Sequence, residues 1–182
     1  MSATRPTRRI VTIDDEQGQS GAIADGPSPD RRSDPARPGF VMERMWVTNG
    51  SPPAIGEYRD PVLDPHTIEP PRNGTVCRVV TFPPDASFRG KTGSAEVAAF
   101  FHAMGSPGAS TYSAKAPHPY MQKTRTLDFC LILEGEITLV LDTEEVQLKA
   151  GDTVVQRGTN HAWSNRSDAS CVIAMSSHDG AF

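Results

Sequence analysis

Apolar residues in this chain recur mostly at every second position, in short runs separated by glycine, proline and acidic turns. Phe40 to Val47 is the first long run, with Val41, Met45 and Val47 on one parity and Trp46 on the other. Cys77 to Phe82 forms a second, stopped by Pro83-Pro84. From His118 onward the chain reads as strand after strand. Leu127 to Leu133 is strongly apolar and ends at a Glu134-Gly135 turn. Glu136 to Asp142 follows, with Ile137, Leu139 and Leu141 sharing a face. Val146 to Leu148, Thr153 to Gln156, His161 to Asn165 and Cys171 to Met175 complete the set. Short strands at near-regular spacing predict an all-β sandwich or barrel.

One stretch has the helical period instead. Val97, Phe100, Phe101 and Met104 recur at helical spacing, Ser94 suits an N-cap, Glu96 suits the first turn, and Gly105 ends the run. This short helix is expected to pack its apolar stripe on the outside of a sheet. His102 lies off the stripe and reads as exposed. Ahead of Phe40 the only apolar piece is Ile10 to Ile13. Asp14 to Pro38 is rich in Gly, Pro, Asp and Ser and is expected to be loop or partly disordered. Residues 1–39 are therefore read as a flexible extension with a short strand. Residues 40–182 are read as one domain, with its barrel core at 118–176 and an irregular connection from Thr48 to Pro71.

Composition narrows the partners. The chain has 182 residues and a net charge of -4, with no block of five or more like charges. A phosphate backbone needs a concentrated basic face, so nucleic acid is not expected as a partner. Arg5, Arg8 and Arg9 read as a solvated start. No apolar run is long enough to span a bilayer or serve as a secretory signal, and a cytoplasmic location is expected. The three cysteines, Cys77, Cys130 and Cys171, lie far apart in apolar, strand-like contexts and read as buried free thiols.

Candidate chemistry gathers late in the chain. His118, Tyr120, Gln122, Thr124, Thr126 and Asp128 share one parity and make an unusually polar row. If that row faces a barrel lumen, it meets His161 from the facing strand. Trp163 shares parity with His161 and either lines the same cavity or packs in the core. Arg157 precedes the Gly158 turn and is a candidate for holding a ligand carboxylate at the barrel mouth.

The segment from about Gln122 to Met175 resembles the cupin superfamily, small jelly-roll barrels. Gly158-Thr159-Asn160-His161 with Asn165 is similar to the second cupin motif, although Gln156 stands where proline is common. Asp128-Phe129 followed by Leu133-Glu134-Gly135-Glu136 is similar to the end of the first. Thr124 to Phe129 and Val155 to Trp163 look like a branch of single-domain cupins encoded beside bacterial and fungal polyketide or other secondary-metabolite pathways. The resemblance implies an all-β cupin jelly-roll barrel with an N-terminal extension and one short outer helix. It also implies that Gln122 and Thr124 occupy the two histidine positions of the family's metal site, Asp128 the acidic position and His161 the late histidine. Most of the usual ligand set is thus replaced. A divalent metal (Fe, Mn, Zn or Ni) would have only His161, Asp128 and Gln122, a poor donor set.

Three functions fit this reading. The first is an accessory enzyme acting on an aromatic or polyketide-like small molecule. There His161 does proton chemistry such as isomerisation or dehydration, Asp128 and Gln122 orient it, and Thr124, Trp163, Tyr120, His118 and Arg157 contact the ligand. The second is a metal-dependent oxidoreductase or oxygenase. The third is a binding barrel without turnover, in which His161 is a core histidine bonded to Asp128 or Gln122. Cupins commonly dimerise, and the Phe40 to Val47 strand is the candidate seam for a homodimer.

Overall fold

The computed structural model describes residues 5–56 and 58–181. The strands in chain order are β1 (Arg8–Asp14), β2 (Ser20–Pro27), β3 (Arg31–Ser33), β4 (Val41–Thr48) and β5 (Thr75–Phe82). After helix α1 (Ser94–Ala103) come β6 (Thr126–Glu134), β7 (Glu136–Leu141), β8 (Glu145–Lys149), β9 (Thr153–Arg157), β10 (His161–Ser164) and β11 (Cys171–Asp179). A six-stranded sheet in the order β3-β4-β5-β11-β6-β9 faces a three-stranded sheet in the order β10-β7-β8, and β1 with β2 makes a separate hairpin. The main core lies between the two sheets and under α1: Met42, Val80, Ile132, Ile173, Leu139 and Trp163 meet Val97, Phe100 and Phe101 there. This is the jelly-roll arrangement expected. Among the described residues no helix is long and apolar enough to cross a membrane.

Period-two alternation sets the inner face of β6. Thr126, Asp128, Cys130 and Ile132 are buried, while Phe129, Leu131 and Leu133 are exposed. Register carries the polar inner positions across the sheet: Asp128 stands opposite Gln156 on β9 and Ser177 on β11, and Cys130 stands opposite Met175. At the β6–β7 turn Gly135 has φ +76°, and a Cβ there would come within 2.8 Å of the Ser170 carbonyl oxygen. Only glycine fits that turn without displacing the backbone.

Several expectations change. The polar stretch 14–38 is not all loop. Its residues 20–27 pair with β1 along an antiparallel ladder. That hairpin buries little, and backbone pairing plus the two-pronged Arg8–Asp25 ion pair at 2.6 Å hold it instead. Thr7 donates from its hydroxyl to Glu43 at 2.8 Å, and Arg9 pairs with Asp60, so the hairpin is docked on the body. Strand β6 begins at Thr126, so His118 to Gln122 is not strand. Gln122 makes only isolated bridges to Ser110 and His161. Helix α1 is capped one residue earlier than expected, where the Gly93 N–H donates to the Glu96 carboxylate at 2.8 Å. Strand β5 pairs along one edge of β4, and β3 pairs with Val41–Glu43 on the other.

The three thiols also divide. Cys77 is exposed on β5, while Cys130 and Cys171 are buried and burial pushes each thiol up to about 12. Burial also raises the Cys77 thiol, against a smaller opposing effect of the Arg78 charge, so native protein should titrate one thiol with Ellman's reagent, faster at higher pH, and denatured protein three. Fast reaction of a second thiol in native protein would contradict this packing.

A buried charge cluster ties the 60–66 connection to the sheet. The Arg44 Nε lies 2.7 Å from Asp30, and its terminal nitrogens donate to the Val62 and Pro65 carbonyls at 2.9 Å each. His66 Nδ1 lies 2.8 Å from the same Asp30 carboxylate. Burial alone would raise the Asp30 carboxyl. Hydrogen bonds from His66 and Arg32, with the Arg44 charge, outweigh it and hold Asp30 at about 2. The folded value is below the unfolded ~3.9, so this contribution is complete above about pH 4 and is lost as pH falls toward 2. The wild-type protein should lose about 2 kcal/mol across that window through Asp30 alone. In urea titrations at stepped pH, Asp30→Asn should show a flatter acid limb, and an unchanged limb would contradict this origin.

Candidate functional site

The lumen ends in a small cavity of about 50 Å³ whose wall includes Tyr120, Gln122, Trp163, Arg37, Arg78 and Met175. His161 sits beside it, buried, at the start of β10. Its ring packs edge-on against Trp163 at 6.0 Å between centroids. The position follows from the chain: the Gly158 turn at φ +62° reverses direction after β9, and Thr159 then presents its carbonyl oxygen back toward the imidazole.

That carbonyl determines the tautomer. His161 Nδ1 lies 2.9 Å from the Thr159 oxygen, which can only accept, so Nδ1 carries the proton. Nε2 then has a free lone pair and meets the Gln122 side-chain nitrogen at 3.3 Å, where the amide donates. Burial lowers the ring's proton affinity, against smaller opposing effects of the Thr159 bond and the Asp128 charge. The outcome is a neutral imidazole, with its basic nitrogen toward a residue that lines the cavity.

The sequence-derived site residues do not all converge. Gln122, Tyr120 and Trp163 line the cavity, and His161 touches two of them. Asp128 does not orient the imidazole as expected, because the Thr159 carbonyl has taken Nδ1. The Asp128 carboxylate instead accepts from Thr126 at 3.1 Å, and the Thr124 and Thr126 hydroxyls are 2.7 Å apart, making a buried polar ladder beside the site. His118 is outside the lumen. It lies in a cleft of about 350 Å³ with Asp85, 3.7 Å from that carboxylate, and accepts the Tyr120 N–H at Nδ1. Arg157 is exposed on β9, on the same outward parity as Val155, and is not part of the cavity wall. The backbone turns of 111–125 break the parity assumed for the polar row, which is why His118 is misplaced.

Two residues not assigned from sequence line the lumen. Arg78 is on β5 with Val80 and Phe82 on the same inward parity, so a charged residue on an apolar face was its available signal. Arg37 had none, because it lies between prolines in the polar stretch. Its guanidinium is buried over three rings, 4.1 Å from Phe40, 4.3 Å from Phe100 and 3.5 Å from Tyr120. Asp34 pairs with it at 2.6 Å and also accepts the Tyr120 hydroxyl at 3.0 Å.

A metal fits these residues poorly. Transition-metal sites use about three or more protein donors in a closed set. Among the described residues no three His, Cys, Asp or Glu side chains converge. Gln122 presents its amide to His161 Nε2, and one Asp128 oxygen is bonded to Thr126 while the other, Oδ1, is buried without a hydrogen-bond partner.

The site thus combines two facing sheets with one buried histidine beside a small cavity. Residues 107–177 match the Cupin domain family. Over 48 residues it is 56% identical to phomopsin biosynthesis cluster protein C' of Diaporthe leptostromiformis, a match covering 26% of this chain and 25% of that one. Oryzines biosynthesis cluster protein J of Aspergillus oryzae is 48% identical over 58 residues, 31% of this chain and 32% of that one. The cupin-domain-containing oxidoreductase virC of Hypocrea virens is 30% identical over 101 residues, 53% of this chain and 36% of that one. The matched stretches thus span about a quarter to a third of these relatives' own lengths. Among solved structures, a Cupin 2 conserved barrel domain protein from Salinispora arenicola is 13% identical at a TM-score of 0.44, covering 87% of this chain and 91% of that one.

Proposed function

We propose that this chain is a small-molecule enzyme of a secondary-metabolite pathway, in which His161 moves a proton on an aromatic or polyketide-like ligand in the lumen. The observation that carries the reading is the preset tautomer: a neutral imidazole with Nδ1–H on the Thr159 carbonyl and Nε2 toward the cavity wall. The setting comes from the relatives, which are named for the phomopsin and oryzines biosynthesis clusters. A ligand entering the lumen displaces the Gln122 amide and presents an acidic C–H to Nε2. The proton moves to Nε2, the C–H electron pair becomes an enolate, and the Thr159 carbonyl supports the imidazolium. The ring then returns a proton to the same or a neighbouring carbon, completing exchange or isomerisation.

A binding barrel without turnover is the second reading. It is favoured by the lumen volume of about 50 Å³, against ~300–1,000 Å³ for typical small-molecule pockets. A cytoplasmic setting and a homodimer belong to the same proposal. Light scattering tests the dimer directly.

The experiment is deuterium incorporation. Purified protein in D₂O is incubated with enolisable aryl ketones and 2-oxo acids, and exchange is read by mass spectrometry. Wild-type exchange above background that is lost in His161→Asn is the expected result. Equal exchange in the two proteins removes His161 from the chemistry and leaves the binding barrel.

A further inference from the structure

Both lumen arginines carry an N–H without a partner. Arg37 is 4% exposed and Arg78 is 3% exposed. Arg37 Nη2 and Arg78 Nε are buried with no hydrogen-bond acceptor, and both side chains line the same cavity. Buried donors are nearly always satisfied, so two orphans on residues that line one space point to something that fills it. Their settings differ. Arg37 has Asp34 as a counter-charge. Arg78 donates only to the Ile68 carbonyl and the Ser177 hydroxyl, and among the described residues no carboxylate lies within ion-pair distance of it. Its charge is therefore balanced by neutral acceptors and by Asp128 at longer range. Taking a guanidinium out of water without a close anion is unfavourable, and an anion in the cavity would relieve it.

We infer that the lumen binds a carboxylate, with Arg37 and Arg78 as its anchors. Guanidinium groups match the flat, two-oxygen carboxylate through paired N–H donors. Two unsatisfied donors suit two oxygens, where a tetrahedral phosphate would leave oxygens facing Phe40, Ile68 and Val80 on the rest of the wall. Volume limits the acid. A water needs ~10–15 Å³ on this measure, so a cavity of about 50 Å³ holds a carboxylate and a short chain before anything must move. Gln122 and Trp163 line the same space, so a longer acid reaches His161 by displacing the Gln122 amide. This assignment rests on the reading of the lumen as the ligand site, but it does not require turnover.

The test is a titration of full-length wild-type protein with sodium acetate, with acetamide as the uncharged match and sodium chloride holding ionic strength constant. The indole N–H signals of the two tryptophans are followed by ¹H–¹⁵N spectroscopy. Acetate is expected to shift one indole signal saturably, acetamide is not, and Trp163→Phe identifies that signal. Arg78→Gln, checked for fold by circular dichroism, should weaken acetate at least tenfold. Arg37→Gln strands Asp34 and can fail to fold, so the wild-type comparison stands without it. Equal response to acetate and acetamide, no saturable shift, or undiminished binding by Arg78→Gln overturns the assignment and leaves water as the occupant. Acetate binding without deuterium exchange on any ketone keeps the carboxylate site and removes the proton-transfer reading. Exchange on neutral ketones without acetate binding does the reverse.

Discussion

Arg44→Ala is expected to destabilise the fold by about 3–5 kcal/mol, the cost typical of stripping one partner from a buried charge cluster. The Arg44 side chain is 2% exposed, and the Asp30 carboxylate beside it is 5% exposed. Alanine removes the cation 2.7 Å from Asp30 and leaves His66 as the remaining buried partner of that oxygen. It also strips donors from the Val62, Asp64 and Pro65 carbonyls, which have turned inward to meet the guanidinium. Methionine would restore volume but none of these bonds. Arg32→Ala is the control. Arg32 also reaches Asp30, at 2.9 Å, but its side chain is about half exposed and solvent replaces it, so a change under about 1 kcal/mol is expected. Urea unfolding followed by circular dichroism compares the two. A loss at Arg44 no larger than at Arg32 would mean that water reaches the cluster and the burial argument fails.

His161→Asn is expected to cut proton exchange by about 100-fold or more, the usual share of a positioned general base. Asparagine keeps a donor near the Thr159 carbonyl but offers no basic nitrogen to the lumen. The pH profile separates this role from simple packing. Burial holds the imidazole below its ordinary range, so exchange should persist as pH falls through the usual histidine range and decline only beneath it. The same shift bears on stability. The unfolded chain binds the proton more tightly than the folded one, so stability rises with pH across the interval between the two values. It is lost as pH falls from about 6.5 toward the folded value. Thermal melts at stepped pH should show that slope in wild type and not in His161→Asn. A slope that survives the substitution would assign it to another group.

Strand existence was legible along the chain because a half-buried strand writes its own period. β5, β6 and β7 begin and end close to where alternation and turns place them, while β11 starts as expected and runs four residues past Met175. Helix α1 was legible for the same reason, and Val97, Phe100, Phe101 and Met104 are buried as its stripe requires. The hairpin of β1 and β2 was half visible, because a strand held mainly by backbone pairing and the Arg8–Asp25 fork needs no apolar code. In β4 the register shifts between Arg44 and Trp46, so the simple parity assigned to Val41, Met45 and Val47 does not hold throughout.

The site was legible by residue type and less so by contact. His161 and Gln122 meet, as the motif alignment suggested they would. Asp128 is buried near them but gives its bond to Thr126, since the chain turn after Gly158 put a carbonyl where a carboxylate was expected. His118 was assigned to the lumen by counting parity through a segment that proved to be turns, where period two has no meaning.

Local pattern therefore carried the all-β class, the single helix, the turn glycines and the family motifs, because each depends on neighbours a few residues away. Which side chains share the lumen depended on packing between distant segments. Arg37 comes from a proline-rich stretch, Arg78 from β5 and Gln122 from an irregular loop, and only the closing of the two sheets brings them to one cavity. Burial, tautomer and unpartnered donors are properties of that closed space, so no order of residues along the chain could express them.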